Sequence, residues 1–255
     1  MGQGCIRIGA DSREFDLDKS FPDFPPGNLY IGFTGGVEST ILLHILLERY
    51  PNHNIIPCTW RFGDRRLHEW DHARSMCEHL GIVHNHIEAG YLENSAVIAT
   101  KPQEPDKYFN KENKLFVNFV DSDPTFVAGF SGKNTTLLDP EKITPEEQRK
   151  YVVWFKVHRP FLTYDKHHIV DLYYKMGVED LLPFTHTCIR AIEKQEMYVR
   201  GVSTKHTHCG KCYACIERLE AFDRLGINDP AIYDGDYESL VHNARRYYYG
   251  RSVGR

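Results

Sequence analysis

Five apolar-patterned elements packed between residues 29 and 87 constrain this chain more than any other feature. Residues 29–33 (Leu-Tyr-Ile-Gly-Phe) read as a buried strand. Residues Ser39 to Tyr50 follow as a strongly apolar helix that stops at Pro51, whose ring continues a helix poorly. Residues 54–62 read as a second strand. Leu67 to Leu80 reads as an amphipathic helix with Leu67, Trp70, Met76, Cys77 and Leu80 apolar, and Gly81 fits its end. Val83 to Ile87 reads as a third strand. Strand and helix in strict alternation predict a parallel sheet with right-handed crossovers. Thr125 to Phe130 reads as a further strand of that sheet. Asp165 to Met176 and Cys212 to Leu225 read as helices, ended by Gly177 and Gly226. The expected class is α/β: a Rossmann-like parallel sheet with helices on both faces, followed by a small helical C-terminal lobe.

Composition narrows the function classes. Hydrophobic residues at 41% supply a real core, and 26% charged residues is an ordinary globular share, which argues against disorder. A formal net charge of −4 gives no global electrostatic reason to expect nucleic acid. Asp11, Arg13, Glu14, Asp16, Asp18 and Asp23 crowd the first 25 residues and leave no signal-peptide pattern. No stretch reaches the roughly 20 apolar residues of a membrane span. A soluble cytoplasmic protein with no membrane partner is expected.

The glycine pair directly after the first strand is the first candidate site. Phe33-Thr34-Gly35-Gly36-Val37-Glu38-Ser39-Thr40 joins that strand to its helix. Glycines let backbone approach a ligand closely, and the first free N–H groups of the helix point at the same place. With the helix dipole they favour an anion such as pyrophosphate. Thr34, Ser39 and Thr40 add hydroxyls. The pattern is neither of the common phosphate-loop fingerprints, and a tight turn without a ligand explains the glycines equally well at this point.

The second candidate is a cysteine cluster. Cys209, Cys212 and Cys215 fall within seven residues at C-x2-C-x2-C spacing, and Cys188 precedes them. Seven cysteines, an odd number with four in the last third, do not form a secreted disulfide framework. Four thiolates complete a tetrahedral Zn²⁺ site. Lys205, Lys211 and Arg218 lie near and favour thiolates. An iron–sulfur cluster and a redox-active pair are the rivals, and His186, His206 or His208 could replace Cys188 as a ligand. His206 and His208 read as solvated loop residues.

Loop and cluster together carry a resemblance. PP-loop ATP pyrophosphatases have Ser-Gly-Gly-x-Asp-Ser after the first strand, and Thr34-Gly35-Gly36-Val37-Glu38-Ser39 is similar to it, with Thr34 for serine and Glu38 for aspartate. Within that family the chain resembles the 7-cyano-7-deazaguanine synthases of the queuosine pathway. Their C-terminal pattern matches Cys209-Gly-Lys-Cys212-Tyr-Ala-Cys215, then Arg218, Phe222, Gly226, Asp229 and Pro230. Phe62-Gly63-Asp64-Arg65-Arg66-Leu67-His68-Glu69 resembles their stretch after the second strand. Arg159-Pro160-Phe161-Leu162 and Asp165-Lys166 resemble their step before the last helix of the sheet domain. Three departures stand out, the first being Asp64-Arg65-Arg66 where the family has Gln-Arg-His. Cys188 and Cys209 are 21 residues apart where the family has under ten, so 189–208 must loop out. The family's Tyr-Pro-Asp-Cys-Arg stretch is not visible near Gly132.

The resemblance implies an adenine nucleotide alpha-hydrolase-like fold and an ATP-dependent C–N ligase. ATP would adenylate 7-carboxy-7-deazaguanine, ammonia would give the amide, and a second ATP would drive the nitrile. It implies ATP binding by residues 33–40, Mg²⁺ on the phosphates, and structural Zn²⁺ on Cys188, Cys209, Cys212 and Cys215. Glu38, Arg65, Arg66 and Lys166 are the candidate catalytic groups. Related chemistries are a PP-loop enzyme passing an adenylated deazapurine to a protein or nucleic acid, a tRNA sulfurtransferase, and a sulfonucleotide reductase. The last two would need a catalytic cysteine, for which Cys58 and Cys77 are the candidates. A zinc module binding nucleic acid through the tail is a third class. Four regions are expected: an N-terminal arm (1–27), the ATP-binding domain (28–180), the zinc lobe (181–235) and a basic aromatic tail (236–255). A homodimer is compatible with that tail as a subunit contact.

Overall fold

The computed structural model describes residues 5–62, 67–83, 85–89, 125–129, 131, 157–190, 192–199 and 202–249. Its centre is a five-stranded sheet built from β3 (Asn28–Gly32), β4 (Asn54–Phe62), β5 (Asn85–Ala89), β6 (Thr125–Ala128) and β7 (Val157–His158). The order across the sheet is β5-β4-β3-β6-β7, and every neighbouring pair is parallel. This is the α/β fold that the strand–helix alternation predicts. Helix α2 (Val37–Arg49) joins β3 to β4, and α3 (Leu67–His79) joins β4 to β5. The connections from β5 to β6 and from β6 to β7 run through 90–124 and 132–156, outside the described residues, and the excursion expected at 135–150 lies wholly within the second.

Helix α2 is apolar on more than one side because it is covered on more than one side. Ile41, Leu42, Leu43, Ile45 and Leu46 are all buried. The helix packs on β3 and β4 and also on α4 (Lys166–Met176), which presents Ile169, Val170, Leu172 and Tyr173 to the same core. Burying such side chains at about 25 cal/mol per Å² of apolar surface is what holds the layers together.

The stretch expected as a polar arm is structured and enters this core. Residues Cys5–Ile8 (β1) and Arg13–Asp16 (β2) form an antiparallel hairpin, followed by the one-turn helix α1 (Leu17–Ser20). Ile8, Phe15, Leu17 and Phe21 are buried among Phe161 and the α4 side chains. Phe15 packs edge-on against Tyr164 at 5.2 Å. The strands are only four residues long, so one buried side chain per strand stands among charged neighbours and leaves little periodic signal. The hairpin turn is tied to α4: His168 Nδ1 accepts the Asp165 N–H at 3.0 Å, and its Nε2 donates to Asp11 at 2.7 Å.

The C-terminal part is built from a 3-10 segment (Glu179–Phe184), a second hairpin of β8 (Ile192–Val199) and β9 (Val202–Thr207), and helices α5 (Tyr213–Arg224) and α6 (Tyr237–Tyr249). The segment 189–208 therefore does loop out, as a two-stranded ribbon whose β9 packs on α3. The basic aromatic tail is helical as far as Tyr249, because Leu240, Val241 and Ala244 form a stripe that packs on Leu219 of α5.

Candidate active site and candidate metal centre

Sequence order reverses between β3 and β6, which makes the crevice beyond their C-terminal ends the switch point of the sheet. The loop 33–36 leaves β3 there, and Gly129 and Ser131 follow β6 on the other side. The two sides nearly touch. A Cβ on Gly129 would lie 2.9 Å from the carbonyl oxygen of Glu38 and 3.0 Å from its carbonyl carbon. Gly35 has φ +69°, and a Cβ there would meet the backbone of His72 and Ala73 on α3 at 3.1 Å. Both glycines are thus required by close approach.

The loop is braced from within. Ser39 Oγ accepts the Thr34 N–H at 3.3 Å and donates to the Gly36 carbonyl at 3.3 Å. Tyr173 donates its hydroxyl to the Val37 carbonyl at 2.6 Å, and burial pushes its phenol well above the ordinary range. Gly36 is the N-cap residue of α2 and brings no side-chain acceptor to its first N–H groups. By contrast α5 opens on Cys212, whose sulfur accepts the Cys215 N–H. A helix end of this kind, with no side chain capping its first N–H groups, could take an anion.

A buried charge cluster stands beside this end. Lys166 Nζ lies 3.1 Å from Glu38 Oε1 and 3.4 Å from Glu217 Oε2. Ser131 Oγ donates to the same Glu38 oxygen at 3.1 Å. Burial alone would pull the Lys166 amine down, but the Glu38 and Glu217 carboxylates outweigh it and hold the amine above its ordinary value. It stays charged. Glu38 comes from α2, Lys166 opens α4, and Glu217 sits on α5, so three helices meet at one ammonium.

The four-cysteine site lies at the start of α5. The sulfurs of Cys188, Cys209, Cys212 and Cys215 all lie within 4.8 Å of one another. Cys209 and Cys215 are 3.9 Å apart, as are Cys188 and Cys212. Backbone N–H groups point at the sulfurs: Cys212 N to Cys209 Sγ at 3.3 Å and Arg190 N to Cys188 Sγ at 3.3 Å. Four ligands converging on one point fit a single metal ion. A cluster needs wider spacing, since each thiolate takes its own iron.

The metal lobe closes directly on the loop. Two residues before Cys188, His186 donates its backbone N–H to the Gly35 carbonyl at 2.8 Å. The His186 ring stacks on His72 of α3 at 4.0 Å and lies 4.5 Å from His208. His208 is buried, against the solvated loop position expected for it. Its Nε2 accepts the Thr187 N–H at 3.1 Å, and burial, then Arg218, hold its pKa down to about 3. The same stacking, not metal ligation, accounts for His186. For His206 only the backbone is described.

Arg218 does not face the thiolates. It is fully buried and paired with Asp229 through Nε at 2.7 Å and Nη2 at 2.9 Å. It also donates to Thr185 Oγ1 at 2.6 Å and to the Leu182 carbonyl at 3.2 Å. The pair clips α5 to the 3-10 segment.

Of the candidate site residues, Thr34 to Thr40, Glu38 and Lys166 are brought together, and Phe33 is buried beneath them. The four cysteines form the second group. Arg65 and Arg66 lie outside the described residues. Glu217 is the participant that sequence reading missed, and its only signal was a charge two residues after the last cysteine. Cys58 and Cys77 are buried thiols pushed up to about 12, chiefly by burial, which does not suit a nucleophile.

Residues 117–226 match the family model described as "QueC: Queuosine biosynthesis protein QueC". The chain is 23% identical over 227 residues to a 7-cyano-7-deazaguanine synthase of Caldicellulosiruptor saccharolyticus, covering 79% of this chain and 93% of that protein. It is 24% identical over 243 residues to the protein of that name from Hahella chejuensis, covering 86% of this chain and 98% of the other. Among solved structures, the U34-tRNA thiolase NcsA from Methanococcus maripaludis with its [4Fe-4S] cluster superposes with a TM-score of 0.43 at 17% identity, covering 91% of this chain and 76% of that one.

Proposed function

We propose that this chain is an ATP-dependent ligase that converts the carboxylate of 7-carboxy-7-deazaguanine to a nitrile with ammonia, because residues 117–226 match the QueC family model and the chain is similar to 7-cyano-7-deazaguanine synthases over most of its length. One observation carries the catalytic part of this reading. The uncapped N-terminus of α2 faces the switch-point crevice, with a charged, buried lysine held beside it.

The chemistry follows from that arrangement. The substrate carboxylate attacks the α-phosphorus of ATP, forming an acyl adenylate and releasing pyrophosphate. The N–H groups opening α2, with the Thr34 and Ser39 hydroxyls, would hold the leaving phosphates and stabilise the charge that develops on them. Lys166 supplies a fixed positive charge at the same end. Mg²⁺ would arrive on the phosphates, and Glu38, in the first turn of α2, is a carboxylate at that end. Ammonia then displaces AMP to give the amide. A second ATP adenylates the amide oxygen, and loss of AMP and protons leaves the nitrile. No side chain forms a covalent intermediate.

The four thiolates suit Zn²⁺. A Zn–S distance of about 2.3 Å puts tetrahedral sulfurs about 3.8 Å apart, close to the 3.9 Å of the two pairs above. Held by Cys188, Cys209, Cys212 and Cys215, the ion would be structural, tying down the segment whose His186 N–H donates to the Gly35 carbonyl.

Incubation with ATP, ammonium and 7-carboxy-7-deazaguanine, followed by mass spectrometry, tests the reading. Amide and nitrile should both appear, with AMP and pyrophosphate. AMP formation on a different substrate, without amide or nitrile on this one, would sink the deazaguanine assignment and keep the adenylation.

A further inference from the structure

Glu217 has no place in the reaction as written, yet it is one of three charges buried at the phosphate end. It stands on α5 two residues after Cys215, and it lies 3.4 Å from Lys166 Nζ, whose other carboxylate neighbour, Glu38 at 3.1 Å, accepts from Ser131. All three charged side chains are at most 12% exposed. Two carboxylates share one ammonium, so the cluster carries a net negative charge beside a helix end that could take an anion. Glu217 therefore does not serve charge balance. Its effect is geometric.

An ammonium has three donors. With Glu38 as sole partner it would settle into a closed pair on that side chain. With Glu217 as a second partner on another helix, it is shared between two carboxylates 3.1 and 3.4 Å away and is not closed onto Glu38 alone. We propose that Glu217 is a positioning residue, which holds the Lys166 ammonium where the phosphates of ATP reach it and ties that placement to the metal-bearing helix. The inference rests on the ATP-binding reading above. The route is short: Cys212 caps α5, Cys215 closes its first turn, and Glu217 follows on the same helix.

The attraction and the repulsion have opposite signs for ATP. On the proposal, Lys166 would meet the phosphate at contact distance and Glu217 would act on it only through that ammonium. In a poorly hydrated site the nearer charge prevails.

The test compares MgATP with AMP, by calorimetric titration of metal-loaded wild-type, E217Q and E217D proteins. E217Q should weaken MgATP about ten-fold and leave AMP within about two-fold, since AMP carries no β- or γ-phosphate to meet Lys166. E217D, which restores the charge, should recover part of the loss. Metal content and melting temperature of each variant are read alongside, and E217D carries the comparison should E217Q lose its metal. Equal weakening of ATP and AMP, unchanged ATP affinity in E217Q, or identical behaviour of Asp and Gln would each overturn the role of Glu217. Wild-type protein that binds neither nucleotide would instead overturn the ATP-binding reading itself.

Discussion

Gly129 and Glu38 decide how the two sides of the switch point meet, and each makes a separate prediction. Ala at position 129 would press a Cβ against the backbone of Glu38, which has no rotamer with which to move away. Overpacking of this kind costs about 1–3 kcal/mol, so Gly129→Ala should lower stability by that amount in urea unfolding and weaken MgATP binding. Unchanged values for both would contradict the close approach. Glu38→Gln keeps an oxygen for Ser131 but removes the charge that holds Lys166. AMP formation should fall about ten-fold or more, as for loss of a preorganised electrostatic partner, with the fold intact by circular dichroism. At this scale the sequence was half legible. Glu38 and Lys166 each stand in a recognisable stretch, but their contact depends on how α2 packs on α4, which no local pattern encodes. His208 reads as a solvated loop residue because its ring packs on His186, which in turn stacks on His72 of a distant helix.

Among the elements, α5 is the joint of the molecule. Its first turn carries two cysteines, its second carries Glu217 and Arg218, and its far side packs on α6. Arg218→Met should be costly out of proportion to its position far from the phosphate loop's chemistry. It would leave Asp229 buried without its cation, and removing one partner of a buried pair costs about 3–5 kcal/mol. Chemical denaturation would measure this directly. A variant also carrying Asp229→Asn should recover part of the loss, because no uncompensated charge then remains. Element boundaries were the most legible level. The second strand spans 54–62 as expected, and the helices that begin near Leu67, Asp165 and Cys212 end at their glycines. The N-terminal hairpin was not legible, since four-residue strands carry too few turns of the pattern. The ribbon at 192–207 was foreseen only as extra length.

For the whole molecule, thiol accessibility and acid sensitivity are the global readouts. Cys5 is exposed, Cys58 and Cys77 are buried in the core, and the other four cysteines form the metal site. A thiol reagent at neutral pH should therefore find one group in the metal-loaded protein, five after chelation and seven in denaturant. The first should react slowly, because Glu14 raises the Cys5 thiol to about 11. Full reactivity of the cluster before chelation would argue that no metal is held. Acid should destabilise the fold in a definite window. Burial, then His168, then Arg224 hold the pKa of His167 down to about 4, against an ordinary 6.5. Between those values the unfolded chain binds a proton that the folded one refuses. Stability is thus full above about pH 6.5 and falls as pH drops toward 4. The contribution is at most about 1.4 kcal/mol per pH unit. His167→Gln should flatten that slope in urea titrations at pH 7, 6 and 5. Asp229, which burial would raise but Arg218 holds below the carboxylate range, adds a further loss at lower pH still.

The ribbon between Cys188 and Cys209 has a kinetic consequence. Three ligands lie within seven residues and can gather an ion with little chain to organise, whereas the fourth must be recruited across a 21-residue separation. Closing a loop of that length restricts the unfolded chain and is slow compared with folding a knuckle. Metal uptake should therefore occur in two phases. A fast capture by Cys209, Cys212 and Cys215 would be followed by a slower arrival of Cys188, and only the second would bring His186 onto the phosphate loop. Newly made chains would hold their metal before they could hold a nucleotide.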